Sequence, residues 1–229
     1  MGWRIYYIIT PTTPDAPPQA TITRCVGTEE QLTLPAAIGG APVTSLGAQC
    51  FCQPSELLEP VDGIQFFQAE PPMGTLPNDT LQRLILPSSI IALQKKSLAD
   101  CTALKRLALP ETVRELGERV FQRCRNLERL DLSPNLTELP AYAFADCRSL
   151  TELTIPDGVT SVGSQCFYNC TQLKSLALPR TVTEIGSGVL MNCARLERLS
   201  FPAGRCADGT GWGAGGACRL LEGEGSLSC

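Results

Sequence analysis

The chain has 229 residues, 43% of them hydrophobic, which is enough apolar material for one sizeable packed domain or two small ones. Its 19 basic and 23 acidic residues are interspersed and leave a net charge of −4, so it carries no basic stripe for nucleic acid. Histidine is absent, which removes the commonest general base and the commonest metal ligand and points away from an enzyme.

In chain order, Trp3 to Ile9 is rich in aromatic and β-branched residues, and a proline-rich turn and Ala20 to Cys25 follow it. This pattern predicts a β-hairpin, taken with residues 1–31 as an N-terminal cap. The apolar run Ile5 to Ile9 is shorter than the ~7 to 15 residues of a signal peptide core, and no stretch reaches the roughly 20 apolar residues of a bilayer-crossing helix. The expectation from residues alone is a cytoplasmic chain with no membrane insertion.

Residues 32–80 read as expanded or irregular first repeats. Leu32-Thr-Leu-Pro35 and Val43 to Phe51 match a unit that recurs downstream, with extra residues around Gly39 and Gly40. Residues 55–80 break the pattern, and Ile64-Gln-Phe66 is a candidate strand of an irregular coil.

From 81 to 201 the chain repeats every 23 residues without insertion. Leu81, Leu104, Leu127, Leu150, Leu173 and Leu196 open the copies; Leu84, Leu107, Leu130, Leu153, Leu176 and Leu199 form the next column, and Leu86, Leu109, Leu132, Ile155, Leu178 and Phe201 the third. Further apolar columns run through Ile90, Leu93 and Leu98 and their equivalents. L-x-L predicts a short strand with leucines inward, because side chains alternate on a strand. One copy cannot bury its own apolar face, so successive copies stack about 4.8 Å apart into a parallel ladder over one continuous core.

A proline ends the strand at Pro87, Pro110, Pro156, Pro179 and Pro202, and is displaced by one position to Pro134 in the third copy. Gly117, Gly163 and Gly186 mark a turn, but Gln94 and Pro140 hold that place in other copies, so a positive φ there is not required. Residues 202–229, with the glycine cluster 209–216, read as a C-terminal cap or tail. G-x-G spacing occurs in that cluster, yet no lysine or Ser/Thr follows in P-loop register.

L-x-x-L-x-L-P-x-x-V-x-x-I-G-x-x-x-F-x-x-C, cleanest at Leu150 to Cys170 as LTELTIPDGVTSVGSQCFYNC, resembles the BspA-like type of leucine-rich repeat. Common leucine-rich repeats put Asn or Cys three residues after the L-x-L; here Ser89, Thr112, Asn135, Gly158 and Thr181 stand there. The resemblance implies an α/β solenoid, β-dominated, right-handed and curved, with the parallel ladder on its concave face. It further implies a protein-interaction role, including adhesin-like bacterial proteins that meet host proteins at the cell surface or outside the cell. The alternative is a structural or spacer domain without a specific ligand.

Cys101, Cys124, Cys147, Cys170 and Cys193 share the 23-residue period. Such a column predicts buried thiols packed as small hydrophobes, with neighbours just beyond the ~3.5 to 4.5 Å Cβ separation of a disulfide. Zinc would need four cysteines here, and the close pairs Cys50/Cys52 and Cys166/Cys170 read as packing; no metal, cofactor or catalytic residue is expected. Cys25, Cys206, Cys218 and Cys229 lie outside the columns and are better disulfide candidates. Asn78-Asp-Thr80, Asn135-Leu-Thr137 and Asn169-Cys-Thr171 match the glycosylation triplet, a pattern common by chance.

The outward strand positions carry the binding expectation. One column reads Arg83, Arg106, Arg129, Glu152, Ser175, Arg198, and the other Ile85, Ala108, Asp131, Thr154, Ala177, Ser200. Stacked arginines oppose like charges, which calls for solvation and pairing of Arg129 with Asp131, Glu128 or Glu152, or for acidic groups on a partner that suit guanidinium forks. The candidate face is therefore Arg83, Arg106, Arg129, Asp131, Glu152 and Arg198, and the expected ligand is a protein or a glycan.

Overall fold

The structure, a computed structural model, describes residues 3–10, 17–51, 77–200, 219–220 and 226–228. An antiparallel hairpin, β1 (Arg4–Thr10) and β2 (Gln19–Val26), opens the chain. Next come β3 (Gln31–Thr33), β4 (Ala37–Ile38) and β5 (Ala41–Leu46). β4 and β5 pair antiparallel around Gly39 and Gly40, whose φ values of 58° and 82° suit a two-residue turn that only glycine adopts without cost.

Each regular coil then contributes one three-residue and one two-residue strand. Coil 1 (81–103) holds β6 (Arg83–Ile85) and β7 (Ala92–Leu93); coil 2 (104–126), β8 (Arg106–Ala108) and β9 (Glu115–Leu116); coil 3 (127–149), β10 (Arg129–Asp131) and β11 (Glu138–Leu139). Coil 4 (150–172) holds β12 (Glu152–Thr154) and β13 (Ser161–Val162), coil 5 (173–195) holds β14 (Ser175–Ala177) and β15 (Glu184–Ile185), and β16 (Arg198–Ser200) begins the next turn. β17 (Arg219–Leu220) and β18 (Ser226–Ser228) are antiparallel, and β18 pairs antiparallel with β16.

The three-residue strands form the first ladder and the two-residue strands the second. Within each, residues meet their equivalents in the next coil, as Leu130 meets Leu107 and Leu153 meets Leu176. No helix occurs among the described residues, so turns complete each coil. The interior is the set of apolar columns: Leu107 and Leu153 are 3% and 5% exposed, and Phe121, Phe144 and Phe167 are wholly buried. These rings stack at 5.7 and 5.2 Å between centroids, and burial of each such side chain contributes about 1.5 to 3 kcal/mol.

The coil at 31–51 lies directly beneath coil 1: β3 pairs with β6 and β5 with β7. These rungs join the two coils directly; residues 55–76, with the candidate strand Ile64-Gln-Phe66, lie outside the described residues. Phe51 is bonded to Ser97 beside the Leu98 column, and Asn78 bridges Cys101 in the cysteine column. Other coils place these two columns three residues apart, as in Phe121 and Cys124, whereas Phe51 and Asn78 are 27 apart in the sequence.

The glycine column has a different cause from backbone handedness. Gly117, Gly163 and Gly186 do not have positive φ. They are glycine because a Cβ there would come within 2.3, 2.4 and 2.3 Å of the backbone nitrogens of Lys95, Ala141 and Ser164 in the preceding coil. Left-handed residues occur elsewhere, in two columns: Lys96, Arg119, Tyr142, Gln165 and Gly188, and Asp100, Arg123, Asp146, Asn169 and Asn192. Such non-glycine residues cost about 1 to 2 kcal/mol each, a cost the surrounding stack offsets.

Both ladders are interrupted at coil 3. β9 is not paired with β11, nor β10 with β12. Pro140 accounts for the first gap: its equivalents Gly117, Gly163 and Gly186 donate their N–H to Leu93, Leu139 and Val162 at 2.6 to 2.7 Å, and proline has no N–H to give. The two gaps lie along one seam, 115–131 against 138–154. Bonds at the intervening turn, from Arg119 to Ala141, Phe121 to Ala143 and Arg123 to Ala145, pin it in the middle.

Candidate interaction surface

Strand alternation sends the residues flanking each buried leucine outward. Arg83, Arg106, Arg129, Glu152 and Arg198 are exposed and Ser175 is intermediate. Arg83, Arg106 and Arg129 are consecutive register partners on β6, β8 and β10. Glu152, Ser175 and Arg198 form a second row on β12, β14 and β16, and the unpaired seam divides the two rows.

The arginines differ in their neighbours. Arg129 Nε donates to Asp131 Oδ1 at 3.2 Å, the local pairing expected for it. Among the described residues Arg83 and Arg106 have no ion-pair partner. Two residues further along the same strands lie Ile85, 44% exposed, and the small exposed Ala108. The basic half of the first ladder thus presents two guanidinium groups without an acidic partner among the described residues, beside a short apolar strip.

Around the second ladder the charge is opposite. An open groove of about 510 Å³ crosses four coils, with Glu118, Glu138 and Glu184 on its walls and Pro140, Gly163 and Gly186 along it. Lys95 Nζ stands 2.9 Å from Glu118, and this hydrogen bond and charge hold the Glu118 carboxyl below the usual carboxylate range.

One surface feature, the left-handed column at Asp100, carries side-chain pairs that the sequence reading missed. Arg123 grips Asp100 with Nε and Nη2, both at 2.5 Å, Arg148 meets Asp146 at 2.8 Å, and Asn169 Nδ2 donates to Asp146. The signal was available as an Asp-Arg-Asp-Asn-Asn column on the same period. The Asp100–Arg123 and Asp146–Asn169 pairs lie 23 residues apart and link one coil to the next, while Arg148 meets Asp146 within coil 3.

The cysteine column lies inside. Cys101, Cys124, Cys147 and Cys170 are buried and Cys193 is intermediate. Each thiol from Cys124 onward donates to the carbonyl of the aromatic-column residue one coil back, as Cys147 to Phe121 at 3.2 Å and Cys170 to Phe144 at 3.2 Å. Burial pushes the Cys147, Cys166 and Cys170 thiols well up, and that of Cys193 to about 12. A thiol held protonated in this way is a poor nucleophile.

Cys25, a disulfide candidate by position, is a free buried cysteine, because β2 turns it toward the core. Cys206, Cys218 and Cys229 lie outside the described residues, as does the glycine cluster at 209–216. Asn78 is fully buried, and its Oδ1 accepts from the Leu81 N–H, a local turn contact. Among the described residues, no group of three or more Cys, Asp or Glu side chains could hold a metal ion, and no helix is long and apolar enough to cross a membrane.

The family model described as "BspA type Leucine rich repeat region" matches residues 75–197 in six copies. The chain belongs to this family. Two solved bacterial structures share the fold of this BspA-type chain. A leucine-rich repeat protein of T. pallidum is 26% identical, with a TM-score of 0.56, over 87% of this chain and 70% of that one. A leucine-rich repeat protein from Eubacterium ventriosum is 20% identical, with a TM-score of 0.62, over 88% of this chain and 48% of that one. This chain therefore spans about half the length of the second. No curated protein matches the sequence. The leucine-rich-repeat fold is in general a non-enzymatic scaffold and typically serves protein interaction.

Proposed function

We propose that this BspA-type solenoid is a protein-binding module whose contact face is the basic half of the first ladder. One observation carries the reading: Arg83 and Arg106 are in-register neighbours without an acidic partner among the described residues, while Arg129 beside them is neutralised by Asp131. Like charges facing each other across strands are destabilising, and carboxylates of an acidic partner offset that cost when they meet guanidinium forks in bidentate fashion. Ile85 adds an apolar contact at the same place, and Ala108 leaves room for a partner backbone. The finer form, an adhesin-like bacterial protein, rests on the family resemblance.

Affinity capture with the immobilised chain tests the reading. The wild type is expected to retain a specific partner that is lost on Arg83→Glu/Arg106→Glu and on raising the salt, which shortens the screening length from roughly 8 Å at physiological ionic strength to about 3 Å at 1 M. The double variant should melt as the wild type does, within about 0.5 kcal/mol, since both side chains are exposed. Retention indifferent to both charge reversal and salt would put the contact elsewhere, and no retained partner at all would favour a structural or spacer domain.

A further inference from the structure

Three of the six large hydrophobic residues left exposed among the described residues are consecutive on β1: Tyr6, Tyr7 and Ile8, at 41%, 44% and 38% exposure. Among the described residues β1 is the outermost strand of its sheet and pairs on one side with β2. An edge strand offers a row of unpaired backbone N–H and C=O groups, which proteins guard by shortness, charge, proline, bulges or a covering element. β1 is seven residues long, has no lysine or proline, and has its one charge, Arg4, at its end. The irregularity between Tyr6 and Tyr7 does not guard it either. The register steps from Arg24 to Ile22, so the extra residue, Thr23, is on β2 and the outer rim of β1 runs unbroken. Strand alternation puts exposed Tyr6 and Ile8 on one face of β1 and exposed Tyr7 on the other.

We propose that β1 is a docking edge for the same strand of a second copy of this chain, the two pairing antiparallel about a twofold axis at Tyr7. That register sets Tyr6 against Ile8 of the partner subunit, Ile5 against Ile9 of the partner subunit, and Arg4 against Thr10 of the partner subunit. All the inner pairs are apolar, the kind that stabilises sheets across strands, and the two arginines fall at opposite ends of the ribbon. A parallel in-register pairing would instead set the two Arg4 side chains side by side. The twofold arrangement is also closed, consuming the open edge of both copies and leaving none for further growth. It is independent of the arginine face, because β6 and β8 belong to a different sheet from β1.

Sedimentation equilibrium on the full chain tests this. The wild type is expected to be a reversible dimer, and Arg83→Glu/Arg106→Glu to leave its mass unchanged. Tyr6→Lys/Ile8→Lys and Tyr6→Glu/Ile8→Glu are each expected to be monomeric with the wild-type circular dichroism spectrum, since both side chains are exposed. An equimolar mixture of these two variants should dimerise again, because the twofold register brings each substituted position opposite one of the other charge. A wild type that stays monomeric, a dimer that survives both variants, or a mixture that does not reassociate would overturn the proposal.

Discussion

Coils 4 and 5 meet on both ladders, β12 on β14 and β13 on β15. Coil 3, built from the same 23-residue unit, joins coil 2 only on the first ladder and coil 4 only on the second. Its apolar columns are nevertheless intact: Leu116 and Leu139 are 4% and 1% exposed, and Leu130 and Leu153 4% and 5%. Burial of the columns therefore sets the stacking order, while the hydrogen-bonded rungs depend on residues outside the columns. Coil 3 departs from the repeat where those residues sit, with Ser133-Pro134 in place of the strand-ending proline and Pro140 in the glycine column.

The largest expected effect breaks the comparison at the aromatic stack. Phe144 touches Phe121 across the seam and Phe167 on the other side. Phe144→Ala and Phe167→Ala should each cost about 3 to 5 kcal/mol through lost burial and a cavity. Nearest-neighbour coupling holds a solenoid together, so Phe144→Ala should also split thermal unfolding into two transitions, whereas Phe167→Ala keeps one. Calorimetry decides this; a loss under ~1 kcal/mol would mean that the ring is not core.

A smaller effect comes from Gly163→Ala. The new methyl would press on the Ala141 nitrogen, now 2.4 Å from the ideal Cβ position, and the overpacking should cost about 1 to 3 kcal/mol by chemical denaturation. A neutral outcome would mean that the close approach of coils 3 and 4 is not what selects glycine. The smallest change sharpens the comparison: Pro140→Gly supplies the missing N–H. A restored hydrogen bond worth ~0.5 to 1.5 kcal/mol is set against ~0.5 to 1 kcal/mol of glycine backbone entropy, so stability should move by less than about 1 kcal/mol. The decisive readout is the new amide at position 140, which should be protected from exchange as its equivalents in coils 4 and 5 are.

Much of this was legible in the sequence because 23-residue spacing and strand alternation are both one-dimensional signals. Together they identified Leu84 and its equivalents as core and Arg83 and Arg106 as adjacent outward residues. The second ladder was not legible as strands, since two residues such as Glu115–Leu116 are too short for alternation to show. Nor were the left-handed positions, because Lys96, Arg119, Tyr142 and Gln165 share no residue type. The glycine column was seen, but spacing cannot distinguish a positive φ from a close backbone approach. Tyr6, Tyr7 and Ile8 read as strand material, and only the pairing order makes β1 an edge. Of the candidate site, the arginine row was readable, while its division at the seam depends on rungs that no column predicts.

Amide hydrogen exchange resolved by residue on the wild-type chain tests the central claim, one solenoid of equivalent units with a single unpaired seam. Thr160 and Gly163, bonded to Thr137 and Leu139, and Lys174, bonded to Thr151, should be protected. Their seam equivalents Thr137 and Thr151 should exchange faster, with the Phe144 amide, bonded to Cys166, remaining slow between them. Uniform protection of Thr137, Thr151, Thr160 and Lys174 would contradict the account.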